Sequence, residues 1–145
     1  MKVLFDTNVI LDVLLDRQPH VEASAEALSR AESGDLNGYL CATTITTLHY
    51  LTAKTLGAAQ AAIHIRRLLA LCEIAPVHRP VLETALESGF TDFEDAVLHE
   101  SARQVASDAI VTRNPRHFKK SLLPVYTPEE LIQVLSALQA LEDDA

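Results

Sequence analysis

Glycine, cysteine, positive charge and long apolar runs are all in short supply, and each shortage removes a class of protein. There are 4 glycines among 145 residues, with no repeat, no low-complexity tract and no glycine-rich phosphate loop. With 48% hydrophobic residues, neither a disordered nor a fibrous chain fits. Cys41 and Cys72 stand far apart with no C-x-x-C pattern, so buried thiols are expected rather than a zinc site or redox pair. Lys and Arg number 12 against 20 Asp and Glu, a net charge of −8, which argues against a broad basic face for nucleic acid. Any such contact has to be local. No apolar run approaches the roughly 18 residues of a membrane span, so a soluble, cytoplasmic protein is expected.

The chain has the length of one domain, enough to bury roughly 68 to 70% of its unfolded surface. The expected domain covers residues 1–137, and the acidic end containing Glu142, Asp143 and Asp144 reads as a solvated tail from 138 to 145. Short apolar segments alternate with longer ones of helical period, the pattern of a mostly parallel sheet with helices on both faces. Strands are expected near Lys2 to Phe5, Gly38 to Cys41, Glu73 to Ala75, Ala109 to Thr112 and Pro124 to Tyr126, a five-stranded α/β domain. Val9 to Leu14 predicts a short helix, and Pro19 is placed in the first turn of the next, which ends near Gly34. Thr43 to Thr55 carries apolar residues at helical spacing up to Gly57, and Ala58 to Leu71 continues as a further helix. Pro80 and Pro128 mark two later helix starts, and Thr91 or Asp92 caps a helix between them.

Carboxylates gather where such a sheet binds ligands. Asp6 ends the apolar run Val3-Leu4-Phe5 and is followed by Thr7-Asn8, which puts it at the carboxyl edge of a buried strand. Alone, it fits a turn cap equally well. Asp92 and Asp95 are three apart at a helix start and share nearly one side, whereas Glu94 is expected to point elsewhere. Two like charges so placed call for a cation or solvent, unless Asp92 is only the cap and Asp95 pairs with a base. Thr112-Arg113-Asn114 follows the fourth strand and supplies a hydroxyl and an amide, or else only a turn before Pro115. Oxygen donors without thiolates suit Mg²⁺ or Mn²⁺. Arg113, Arg116, Lys119 and Lys120 form the densest basic cluster, the natural place to grip a phosphate backbone. His99, on the stripe of Asp92 and Asp95, is expected to be packed or exposed. Asp12, one turn beyond Asn8, reads as a surface or supporting carboxylate.

Asp6-Thr7-Asn8, Asp92-Phe93-Glu94-Asp95-Ala96 and Val111-Thr112-Arg113-Asn114 with Phe118, in this order and at successive strand or helix ends, resemble the PIN-domain family. The nearest branch is that of the bacterial VapC-like toxins. The resemblance covers nearly the whole chain and implies a three-layer α/β fold and a metal-dependent ribonuclease. Such proteins are often dimeric and are usually neutralised by a small antitoxin protein. Asp6 and Asp95 match the family's first and third acidic positions, Thr112 its hydroxyl, and Asn114 stands where many members have a fourth carboxylate. The family's glutamate in the helix after the second strand is missing. Thr47 stands about where it belongs, and no Asp or Glu occurs from Leu36 through Cys72.

Two functions follow. In the first, Asp6 and Asp95, helped by Asp92 and Asn114, hold Mg²⁺ or Mn²⁺ for hydrolysis of RNA. Thr112 would act beside them, Thr7, Asn8 and Thr47 would support the site, and Arg113, Arg116 and Lys119 would contact the RNA. In the second, a PIN-like module with a decayed metal site binds RNA or protein without cutting. An aspartyl-nucleophile phosphatase would want a second carboxylate two residues after Asp6, where Asn8 stands.

Overall fold

The first strand is apolar at Val3, Leu4 and Phe5 because both of its faces are covered. Val3 and Phe5 belong to one core cluster and Leu4 to another. This alternation carries across the sheet, with Leu40 and Val111 on the first side and Cys41 and Ile110 on the second. The computed structural model describes residues 1–145. In chain order the elements are β1 (Lys2–Phe5), α1 (Thr7–Leu14), α2 (Val21–Glu32), β2 (Asn37–Cys41), α3 (Ala42–Leu56), α4 (Ala58–Leu71) and β3 (Glu73–Ala75). There follow α5 (Arg79–Glu87), α6 (Phe93–Gln104), β4 (Ala109–Val111), a 3₁₀ turn (Pro115–Phe118), β5 (Val125–Tyr126) and α7 (Pro128–Asp143). Residues of α1, α2, α3, α4 and α7 fill the first cluster, and those of α5 and α6 the second, which makes three layers.

The strand order is β3-β2-β1-β4-β5. Every pairing is parallel, so the expected mostly parallel sheet is parallel throughout. The chain builds outward from β1 through β2 to β3, then returns to place β4 against the other side of β1. Successive connections therefore leave β1 and β4 in opposite directions, and their carboxyl ends border an open crevice. Open α/β sheets bind ligands at this switch point.

Most element ends follow local chemistry. Gly57, at φ 91°, separates α3 from α4, a conformation that glycine adopts without strain. Thr127 caps α7 reciprocally: its hydroxyl accepts from the Glu130 N–H, and the Glu130 carboxylate accepts from the Thr127 N–H. Pro19 departs from expectation. It precedes α2 in a turn, and the helix begins at Val21 after His20. The acidic end also differs, because α7 runs on to Asp143 and residues 138 to 143 continue it as exposed helix. No helix is long and apolar enough to cross a membrane.

Gly38 in β2 sits where space is tight. A Cβ there would lie 3.1 Å from Ala31 Cβ and 3.2 Å from both Cys72 Sγ and Phe5 Cε2, so these neighbours would have to give way for a side chain. Gly38→Val is expected to lower stability by about 1–3 kcal/mol through overpacking. Urea unfolding followed by circular dichroism measures it, and an unchanged midpoint would show that the contact relaxes freely.

Candidate active site

Asp6 is the last residue on the β1 edge, its N–H donating to the Val111 carbonyl at 2.8 Å. It is also the N-cap of α1, and both of its carboxylate oxygens are engaged. Oδ1 accepts from the Thr7 N–H at 2.8 Å, and Oδ2 accepts from the Thr112 hydroxyl at 2.8 Å. Thr112 is fully buried beyond β4, and its hydroxyl oxygen in turn accepts from the Asn114 N–H at 3.1 Å. Asn8 Oδ1 accepts from the Arg113 N–H at 3.3 Å, a second bond between the same two chain ends. The hydroxyls of Thr7 and Thr44 meet at 3.0 Å, joining α3 to the group.

The second acidic set arrives on α6. Asp92 is its N-cap, with Oδ1 accepting from the Asp95 N–H at 2.9 Å, so the cap reading of Asp92 holds. Capping does not remove it from the site. A cleft of about 370 Å³ is lined by Asp6, Thr7, Asn8, Thr47, Asp92, Asp95, Arg113 and Asn114 together. A larger hollow of about 570 Å³ between α2 and α7 contains no strand-edge residue and belongs to another part of the surface.

The remaining expectations divide. Thr112 stands behind Asp6 rather than on the cleft wall, so its visible action is on that carboxylate. Arg116 and Lys119 are exposed on the 3₁₀ turn and the residue after it, outside the cleft. His99 is packed, one of the two places expected for it, its Nδ1 3.1 Å from Glu100 and its Nε2 accepting from the Leu122 N–H at 3.0 Å. Glu94, expected to face away, lines the cleft, because the start of α6 brings Asp92, Glu94 and Asp95 to one opening. Asp12 is no surface residue: it is fully buried between Arg17 and Arg113. Arg17 and His117 also line the cleft without having been singled out. Arg17 carries no motif, and His117 was legible only as a neighbour of the basic cluster.

Charge crowding sets the electrostatics. Burial, then the Asp6 and Asp92 charges, push the Asp95 carboxyl up to about 6, with His117 opposing them from 3.9 Å. Burial also raises Asp6, against the hydrogen bonds from Thr112 and Thr7. No three His, Cys, Asp or Glu side chains converge closely enough to form a metal cluster of their own. Thr47, on the α3 side of the cleft, donates its hydroxyl back to the Thr43 carbonyl at 3.2 Å.

The PIN domain family model matches residues 2–116, which contain β1 to β4 and every cleft residue except His117. This chain belongs to the PIN-domain family. Ribonuclease VapC1 of Aquifex aeolicus (strain VF5) is 26% identical over 137 residues, covering 91% of this chain and 94% of that relative. The crystal structure of FitAcB from Neisseria gonorrhoeae superposes with a TM-score of 0.68 at 24% identity, covering 88% of this chain and 98% of that one. A toxin-antitoxin complex from Klebsiella pneumoniae contains a chain with a TM-score of 0.66 at 22% identity, covering 87% and 97% respectively. The two structures share the PIN fold with this chain. The α/β expectation therefore stands, with the family that the motifs resemble.

The Asp95 shift has a sign that stability measurements can read. The native carboxyl keeps its proton up to about pH 6, whereas the unfolded chain loses it near the ordinary value of 3.8. Between these values the native state binds more protons, so Asp95 lowers stability as pH rises through the window. In EDTA, Asp95→Asn is expected to raise the melting temperature at pH 7 and to leave it unchanged below pH 4. Equal effects at both pH values would contradict the crowding.

Proposed function

We propose that this protein is a divalent-metal-dependent endoribonuclease, acting as the toxin of a toxin–antitoxin pair and hydrolysing RNA phosphodiester bonds. One observation carries the reading: Asp6 and Asp95, 89 positions apart in the sequence, face one cleft at the sheet's switch point, where burial and then the neighbouring Asp6 charge make Asp95 hard to ionise. The donor set fits a hard cation. Asp6, Asp92, Asp95 and the Asn114 amide offer oxygen donors to one cleft, and Mg²⁺ characteristically takes one or two carboxylates while keeping several waters. Asp6 and Asp95 would hold Mg²⁺ or Mn²⁺, with Asp92 and the Asn114 amide assisting. When bound, such an ion supplies an activated water and stabilises charge on the scissile phosphate.

The protein's own work is positioning. Thr112 and the Thr7 N–H fix both oxygens of Asp6, leaving each oxygen a further lone pair for a ligand. Asp92 holds the first turn of α6, and so the backbone that carries Asp95. Thr7 and Asn8 brace the chain ends around them. Arg113 lies at the cleft, and Arg116 and Lys119 on the adjoining turn would meet the RNA backbone farther out. Single-stranded or looped RNA is the expected substrate, since duplex RNA hides its bases in a deep groove. A small antitoxin as partner rests on likeness to VapC proteins, and so does a homodimer.

A second reading, a PIN-like module that binds RNA or protein without cutting, is favoured by one feature. Thr47 adds no charge where an acid would stand, and carboxylate number helps set cation affinity. Titration with Mn²⁺ separates the two, because a decayed site shows no saturable binding at millimolar ion.

Labelled single-stranded RNA incubated with Mn²⁺ or with EDTA tests the first reading directly. Thr112→Val, which removes a donor that orients Asp6, is expected to lower cleavage about 10–100-fold, and Asp6→Asn by more, with the fold retained in both. Full activity in Asp6→Asn would overturn the assignment. Thr47→Glu is expected to tighten Mn²⁺ binding in calorimetry, and unchanged affinity would show that position 47 lies out of reach of the ion.

A further inference from the structure

Asp12 is 0% exposed, yet it is a carboxylate, and nothing in the hydrolytic scheme uses it. Its Oδ1 accepts from Arg17 Nε at 3.0 Å, and its Oδ2 lies 2.6 Å from Arg113 Nε and accepts from the Ser24 hydroxyl at 3.2 Å. The Arg113 contact is one of charge against charge, since the Nε hydrogen is not aligned for a hydrogen bond. Both arginines also line the cleft that holds Asp6 and Asp95. One buried anion thus binds two cations from different parts of the chain, the loop after α1 and the segment after β4.

The arrangement leaves the working ends of both side chains available. Each meets Asp12 through Nε, and the terminal nitrogens make only one long bond, from Arg17 Nη2 to the Asn8 carbonyl at 3.4 Å. A guanidinium held in this way presents paired N–H donors to a phosphate. The cleft needs them, because Asp6, Asp92, Glu94 and Asp95 would repel an entering polyanion and Arg17 and Arg113 are the arginines on its wall. With Asp12 counted, the triad still carries one net positive charge.

We propose that Asp12 is a positioning residue that sets Arg17 and Arg113 as a paired guanidinium grip for the phosphates of single-stranded RNA. The proposal rests on the nuclease reading and names the device by which an acidic domain admits RNA to an acidic cleft. It makes an unusual demand. Removing the negative charge of Asp12 makes the protein more positive, which on charge alone tightens RNA binding, whereas loss of positioning weakens it.

The test is fluorescence anisotropy of a short labelled single-stranded RNA in EDTA, across a salt series, with circular dichroism of each variant. Arg17→Gln and Arg113→Gln are each expected to weaken binding about 10-fold and to reduce the salt slope by about 0.7, the loss of one phosphate contact. Arg17→Lys and Arg113→Lys keep the charge and lose the fork, so affinity falls while the slope stays near that of the parent. Folded Asp12→Asn binds more weakly despite its added charge. If that variant fails to fold, the lysine variants decide, and parental affinity in both overturns the grip. So does tighter binding by folded Asp12→Asn, or failure of the parent protein to bind RNA in EDTA. RNA binding without cleavage in Mn²⁺ removes the nuclease reading and leaves the grip standing. Cleavage with unchanged RNA affinity in the glutamine variants does the reverse.

Discussion

The bond from the buried Thr112 hydroxyl to Asp6 Oδ2 ties the carboxyl ends of β1 and β4 together at the one place where the sheet's connections diverge. The rest of the cleft is arranged around it. Asp6 is held from its other side by the first N–H of α1, so its carboxylate serves as strand end, helix cap and cleft wall at once. Any movement between the two strands would disturb all three. The apolar residues of β1 and β4 prevent it, being buried against helices on both faces.

The fold brings several like charges to one opening. α6 begins at the cleft, so its cap and first-turn carboxylates are directed towards Asp6 across the opening. Acidic residues at a helix N-terminus are favoured by the helix dipole, which offsets part of that repulsion. The remainder adds to burial, the larger cause, in making Asp95 reluctant to ionise. A crowded acidic site of this kind would suit a cation, and RNA entering it, as proposed above, would need fixed positive groups nearby. Asp12 connects the two requirements, since its burial gives Arg17 and Arg113 a defined location beside the carboxylates.

The α3 side of the cleft carries no charge. Thr47 reaches the cleft wall, but its hydroxyl is directed back to the Thr43 carbonyl, a bond that threonine in a helix commonly makes. The wall is thus neutral on the α3 side and acidic on the β1 and α6 sides. This asymmetry distinguishes the cleft from one ringed by carboxylates, with Asp92, Glu94 and Asn114 among the oxygen-bearing side chains beside Asp6 and Asp95.

Local patterns were enough to locate all five strands within a residue or two, to end α3 at Gly57 and to mark Asp6, Asp92 and Asp95, because burial period, turn chemistry and capping act over a few residues. The order of the motifs along the chain identified the family for the same reason. What lay beyond that reach depended on contacts between distant segments. Pro19 opens a turn rather than a helix, Glu94 faces the cleft, and Asp12 is buried instead of solvated, although its sequence neighbourhood resembles any amphipathic helix. Its partner Arg113 is brought to it only when β4 docks beside β1. A charged residue's environment is set by what packs over it, so the sequence determined which groups were available and the tertiary structure decided which of them share one low-dielectric space.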